Sequence, residues 1–126
     1  FNLLIDNEET YPFLLVLTST LFYRDIKKKF GELKALYIGI LWTLGSVILP
    51  CVIHDNNYEI LNYPSIYIPS CLLMFGSSNM LDIKDINEDR EDGINTLPIK
   101  LGKDKSILLT NTCFVLAVTI FTTNFI

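Results

Sequence analysis

Three long stretches without a charged residue constrain the fold of this chain more than any other feature. They cover residues 35–53, 60–81 and 106–126. Each stretch is about 20 residues long, which is the length that a helix needs to cross roughly 30 Å of hydrocarbon. A soluble helix of that length must present a charged face to water, and these stretches have no charge to present. The sequence therefore predicts an integral membrane protein and not a soluble protein with apolar core helices.

A fourth apolar segment, residues 10–23, is shorter. It can cross a bilayer if it tilts little and if Arg24 and Lys27 extend toward the interface. We predict an all-α transmembrane helical bundle with about four spans, at about 10–23, 35–53, 62–81 and 106–126. Because both ends of the chain lie in apolar sequence, we expect residues 1–126 to be part of a larger membrane domain.

The basic residues predict the orientation of these spans. All ten lysines and arginines lie in two segments, 24–34 and 82–105, whereas the polar stretches 1–10 and 54–59 carry acids and no lysine or arginine. Four spans place the two basic segments on the same side, which the positive-inside rule assigns to the cytoplasm or its equivalent in an organelle. We predict a multi-pass protein of a bacterial plasma membrane or an organelle membrane, with lipid as its surroundings and no nucleic-acid partner.

The second basic segment carries aspartates at a regular spacing. The four carboxylates are three, four and three residues apart, at Asp82, Asp85, Asp89 and Asp92. On one helix they would fall within a stripe about 80° wide. Ser78 continues the stripe back into the membrane span, whereas Lys84 and Glu91 point to the far side. Gly93 is a stop signal for this helix, and Pro98 prevents the helix from resuming before it.

A stripe of like charges repels itself unless a cation binds to it. Carboxylate oxygens are suited to Mg²⁺, which commonly bridges one or two carboxylates to phosphate oxygens. A solvated acidic surface explains the spacing equally well. The position of the stripe at the end of an apolar span, where charge is costly, favours a functional site.

Tyr23 and Lys27 are four residues apart, so their hydroxyl and ammonium groups project from one helix face at the membrane border. Such a pair can hold a phosphate oxygen. By themselves these two residues are better explained as an ordinary lysine-rich cytoplasmic flank, and only a wider pattern gives them a function.

The wider pattern resembles the UbiA superfamily of intramembrane prenyltransferases. The resemblance lies in the run Asp82-x-x-Asp85-x-x-x-Asp89-x-x-x-Gly93-x-x-Thr96-Leu97-Pro98-x-x-Leu101-Gly102, which is similar to the second aspartate-rich motif of that family. Tyr23-x-x-x-Lys27 resembles the family's Tyr/Lys pair, and the span that holds Trp42 and Gly45 resembles the helix that follows it. The resemblance covers the C-terminal part of the family fold.

This resemblance implies transfer of an isoprenoid chain from a prenyl diphosphate to a lipophilic acceptor, with an aromatic acceptor expected, as in quinone biosynthesis. It implies catalytic roles for Asp85, Asp89, Lys27 and Tyr23. It implies that Mg²⁺ is bound by Asp82, Asp85 and Asp89. It implies that the substrate is bound by Tyr23, Lys27, Ser78 and Asn79.

One departure limits the expected activity. The family's first aspartate-rich motif, of the form NDxxDxxxD, is absent from this sequence, so we expect the isolated 126 residues to be inactive. Three other classes of protein are alternatives. A CDP-alcohol phosphotransferase is disfavoured because its Asp-Gly-x-x-Ala-Arg signature is missing from this sequence. A soluble terpene synthase is disfavoured because its helices would be amphipathic, and the apolar stretches of this chain are not. A non-enzymatic membrane subunit or a divalent-cation pathway remains open.

Overall fold

The computed structural model describes residues 10–55 and 58–125, and within these ranges every regular element is helical. The prediction of an all-α fold is confirmed. In chain order the helices are α1 (Thr10–Leu21), α2 (Tyr23–Lys29), α3 (Lys34–Thr43), α4 (Leu49–Asp55), α5 (Pro64–Lys84), α6 (Ile86–Glu91), α7 (Leu97–Leu101) and α8 (Lys103–Phe125). Short 3₁₀ turns lie at Gly31–Leu33 and Tyr58–Asn62, and a π-helical segment covers Leu44–Ile48.

The π-helical segment joins α3 and α4 into one rod. Within it the Leu49 N–H donates to the Leu44 carbonyl, five residues earlier. Pro50 follows immediately, and a proline ring crowds the carbonyl four residues before it. The wider π turn therefore lets the helix pass Pro50 without ending.

The core forms where α5 packs between α3 and α8. Two glycines permit the close approach of these helices. A Cβ at Gly39 would lie 2.9 Å from the Cys71 carbonyl oxygen of α5, and a Cβ at Gly76 would lie 2.7 Å from the Phe114 ring of α8. Small residues at such contacts are typical of helices that pack closely in membranes.

In the part of the chain that the structure describes, two helical stretches are long and apolar enough to cross a membrane. They are Gly31–Val52, with a mean hydropathy of 2.0, and Lys103–Asn124, with a mean hydropathy of 1.7. Only 22% of each is buried, and large apolar side chains such as Leu108 and Val115 are exposed on α8. A core helix of a soluble protein would be mostly buried. The two helices are a weak indication of membrane association, and the four spans stay a prediction.

The segments expected as cytoplasmic loops, 24–34 and 82–105, are themselves largely helical. The first contains most of α2 and the 3₁₀ turn Gly31–Leu33, and the second contains α6 and α7. Gly93 ends the acidic helix as expected, with a positive φ of 68°, and Gly102 separates α7 from α8 with a φ of 88°. Left-handed backbone of this kind is adopted most readily by glycine.

Candidate functional site

The Tyr/Lys segment and the acidic segment meet through an ion pair. The Lys27 Nζ lies 2.9 Å from Asp89 Oδ1, with 28% of the lysine side chain and 4% of the aspartate side chain exposed. The hydrogen bond to Asp89 raises the pKa of the Lys27 ammonium, against the lowering effect of burial. Both residues were predicted site residues, so the structure joins two motifs that the sequence separates by about 60 positions.

A second ion pair lies deeper in the bundle, between Lys34 at the start of α3 and Asp82 near the end of α5. Only 9% of the Lys34 side chain and 1% of the Asp82 side chain are exposed. Burial raises the pKa of the Asp82 carboxyl, and the neighbouring lysine opposes that change. Lys34 belongs to the segment 24–34 that was predicted as a basic loop, but its ammonium group is enclosed against this carboxylate.

The two pairs share one geometric register. Lys27 and Lys34 are seven residues apart, as are Asp82 and Asp89, and the pairing is antiparallel. Lys27 lies in α2 and Lys34 in α3, whereas Asp82 lies in α5 and Asp89 in α6, so the packing of these segments and not a single helix face sets the pairing. The equal spacing of seven residues in the two segments is a sequence signal that Lys34 pairs with Asp82. The signal is not visible when either segment is considered alone.

Each aspartate keeps one oxygen without a partner. The Oδ2 atoms of Asp82 and Asp89 are buried and accept no hydrogen bond in the part of the chain that the structure describes. Buried acceptors of this kind are costly unless a donor or a cation binds them. A cation at these oxygens would satisfy both.

Asp85 lies between the two pairs, at a break between α5 and α6. Its backbone φ and ψ are −94° and 12°, so the acidic stripe is not on one regular helix as predicted. Its side chain is half-buried. Glu91 and Asp92 are both exposed, as expected for Glu91 on the far side.

The described residues contain no group of three histidine, cysteine or acidic side chains that could hold a metal by themselves. The described residues therefore do not form a preformed cage of three carboxylates for Mg²⁺. Mg²⁺ commonly binds through one or two carboxylates, with substrate phosphate oxygens and water completing its shell. The free oxygens of Asp82 and Asp89 fit that mode.

The predicted substrate residues Ser78 and Asn79 are both buried in α5. The Asn79 Nδ2 donates to the Thr110 Oγ1 at 2.9 Å and to the Ser106 carbonyl at 3.2 Å, both in α8. Its Oδ1 has no partner among the described residues. Sequence reasoning did not identify Ser106 and Thr110, although their spacing of four places them on one face of α8.

The segments 24–34 and 82–105 are docked on each other at Gly31. A Cβ at this position would lie 2.6 Å from the Asn95 carbonyl oxygen, so only glycine allows the approach. A surface ion pair between Glu32 and Lys100 adds a second link, but an exposed pair of this kind contributes little. The contact at Gly31 lies between Lys27 and Lys34 in the chain and fixes both lysines relative to the acidic segment.

Tyr23 lies at one end of an apolar groove between α1 and α3. The groove has a volume of about 420 Å³ and is lined by Val16, Thr20, Tyr23, Ile38, Leu41, Trp42, Gly45 and Ser46. Tyr23 is close enough to Lys27 to influence the pKa of its ammonium group. The groove therefore runs from the polar site into apolar surroundings.

Comparison with known proteins agrees with this arrangement. The VviA prenyltransferase family model matches residues 17–126, a range that includes both ion pairs. No curated protein and no solved structure matches the chain. The match supports prenyl transfer, and thus a prenyl donor and an acceptor in general, whereas the resemblance to the UbiA superfamily stays a prediction. The chain belongs to the VviA prenyltransferase family.

Proposed function

We propose that the protein is an integral membrane enzyme that transfers an isoprenoid chain from a prenyl diphosphate to a lipophilic, aromatic acceptor. The observation that carries the proposal is the meeting of Lys27 with Asp89 beside two buried carboxylate oxygens that lack partners. A prenyltransferase family match over residues 17–126 adds independent support.

The reaction needs stabilisation of a leaving diphosphate. The bond between the allylic carbon and the diphosphate oxygen breaks, and the electron pair leaves with the diphosphate. The acceptor carbon then bonds to the allylic carbon and loses its proton. Groups that are fixed in place before negative charge develops on the leaving group lower the barrier most effectively.

Asp85 and Asp89, with Asp82 in support, would hold Mg²⁺, which supplies positive charge to the diphosphate oxygens when it is bound. Lys27 is partly exposed and can turn from Asp89 to a phosphate oxygen, where it acts as a compact point charge. Tyr23 can donate its hydroxyl proton to the same group. Each residue then contributes to one site at the membrane border.

The groove that begins at Tyr23 has the character expected for the prenyl chain. Its lining is mostly apolar and includes Tyr23 but none of the ion-paired residues. An isoprenoid chain that occupies this groove would place its diphosphate end near Lys27 and keep water away from the reacting carbon.

Transfer from a radiolabelled prenyl diphosphate by membranes that contain the intact protein tests the proposal. We expect transfer to an aromatic acceptor in the presence of Mg²⁺ and none after chelation with EDTA. Lys27→Met should lose most of the activity because it removes the cation that reaches both Asp89 and the diphosphate.

Lys28→Met is the matched control. Lys28 belongs to the same helix, is exposed, and has no ion pair with a described residue. Equal loss in both variants would show that general positive charge at the membrane surface, and not the position of Lys27, supports activity. Absence of Mg²⁺-dependent transfer by the intact protein would favour a non-enzymatic membrane subunit.

A further inference from the structure

Lys34 is the more buried of the two lysines that pair with Asp82 and Asp89. Its side chain is 9% exposed, compared with 28% for Lys27. Burial of an unpaired ammonium group is strongly unfavourable, and even a buried ion pair often stabilises a fold less than apolar side chains of the same size would. A buried pair beside a candidate metal site therefore suggests a role other than stability.

We propose that Lys34 is a positioning residue that holds the Asp82 carboxylate in one orientation inside the bundle, with one carboxylate oxygen left to bind the metal. The inference rests on the proposed function. The Lys34 ammonium binds Asp82 Oδ1, whereas Asp82 Oδ2 is buried without a partner among the described residues. Lys34 thus fixes one oxygen and leaves the other available.

Charge balance gives the two lysines different roles. The Lys34 side chain is only 9% exposed, so we expect it to stay with Asp82. Lys27 can leave Asp89 for a phosphate oxygen. Asp89 then keeps one unneutralised negative charge for the metal, beside the neutral pair of Lys34 and Asp82. Asp82 would contribute an oxygen to the metal without adding net charge.

Hydrogen bonds to α8 restrain the turn of α5 that carries Asp82. Asn79, three residues before Asp82, donates to Thr110 and to the Ser106 carbonyl. Asp82 is therefore restrained by α3 through Lys34 and by α8 through Asn79. Restraint of this kind is what orients ligands at metal sites, and loss of an orienting partner typically lowers metal affinity by about 10–100-fold.

Thermal unfolding of the intact protein in detergent tests the inference with Mg²⁺ and inorganic diphosphate as probes. A ligand that binds only the folded state raises the Tm as its concentration rises. The Mg²⁺ concentration that gives half of the maximal rise, at fixed diphosphate, therefore measures the site without requiring turnover. Parent protein that shows no such rise would contradict both the proposed function and the inference.

The informative variant is the double substitution Lys34→Met with Asp82→Asn. It replaces the buried ion pair by two neutral side chains of similar size, so the fold should survive. We expect its Mg²⁺ midpoint to be about tenfold higher than that of the parent. A double variant with the parent's midpoint, in a parent that does respond, would show that the pair is structural only and would overturn the inference alone.

Two further variants keep the outcome decisive. Lys34→Arg retains the charge and should keep a midpoint closer to the parent's than Lys34→Met does, if Lys34→Met folds. Lys100→Met removes the lysine of the exposed pair with Glu32 and should leave the midpoint unchanged. If Lys100→Met raised the Mg²⁺ midpoint as much as the double variant does, the midpoint would depend on general positive charge. That result would contradict a specific role for Lys34.

Discussion

Replacement of Gly31 by alanine should separate the segments 24–34 and 82–105, which form the candidate site. The added Cβ would lie 2.6 Å from the Asn95 carbonyl oxygen and 3.1 Å from the Ile94 Cγ2. The closest neighbour is backbone and cannot turn aside as a side chain could. To regain an ordinary separation of about 3.5 Å, the segments must move apart by about 0.9 Å.

Overpacking of this kind destabilises proteins by about 1–3 kcal/mol. The same displacement would lengthen the 2.9 Å contact between Lys27 and Asp89 beyond hydrogen-bonding distance. Misplacement of catalytic groups by about 1 Å can lower a rate by about 100-fold. Gly31→Ala should therefore lose both stability, measured by chemical unfolding in detergent, and prenyl transfer.

Gly45→Ala is the matched control for stability. Its Cβ would meet only the Val16 Cγ1, at 3.6 Å, which is ordinary contact, and alanine is favoured over glycine inside a helix by up to about 1 kcal/mol. We expect Gly45→Ala to be neutral or slightly stabilising. If Gly31→Ala unfolds at the same denaturant concentration as Gly45→Ala, that result would contradict the close approach of Gly31 to the Asn95 carbonyl.

Two further predictions address the packing and the topology. Gly39→Ala places a Cβ 2.9 Å from the Cys71 carbonyl oxygen and should destabilise the contact of α3 with α5 by about 1–3 kcal/mol; an unfolding midpoint equal to that of the parent would contradict this packing. For topology, Cys51 is predicted near the outer face and a cysteine introduced at Asn95 on the cytoplasmic side. An impermeant thiol reagent applied from one side should label only one of them, and labelling of both would refute the predicted orientation.

The sequence predicted the helices well because apolar length alone specifies them. The predicted span at 35–53 lies within a helical stretch, most of the span at 62–81 lies in α5, and the described part of the span at 106–126 lies in α8. Gly93 ends the acidic helix where expected. Segment 10–23 is less regular, since α1 ends at Leu21 and α2 begins at Tyr23. Helices and helix ends were thus predictable, because they depend on residues that are close together in the sequence.

The pairing of charges was less predictable because it depends on contacts between distant segments. Lys34 looked like one more lysine in a basic flank, and only the antiparallel packing of α3 on α5 shows that it meets Asp82, 48 positions away. The break at Asp85 had no signal either, since no glycine or proline lies between Asp82 and Asp92. Local sequence placed the carboxylates in order but could not show which of them a lysine neutralises.

The central claim is that the carboxylates of the acidic segment hold Mg²⁺ on a prenyl diphosphate. A Mg²⁺ titration of the transfer rate by the intact protein tests it most directly. Asp85→Ala and Asp89→Ala should each remove most of the activity and raise the Mg²⁺ concentration for half-maximal rate, since each removes a ligand. Asp92→Ala should be milder because Asp92 is exposed and lies one turn further along, and Glu91→Ala should match the parent. Equal rates and equal Mg²⁺ midpoints in all four variants would contradict the claim.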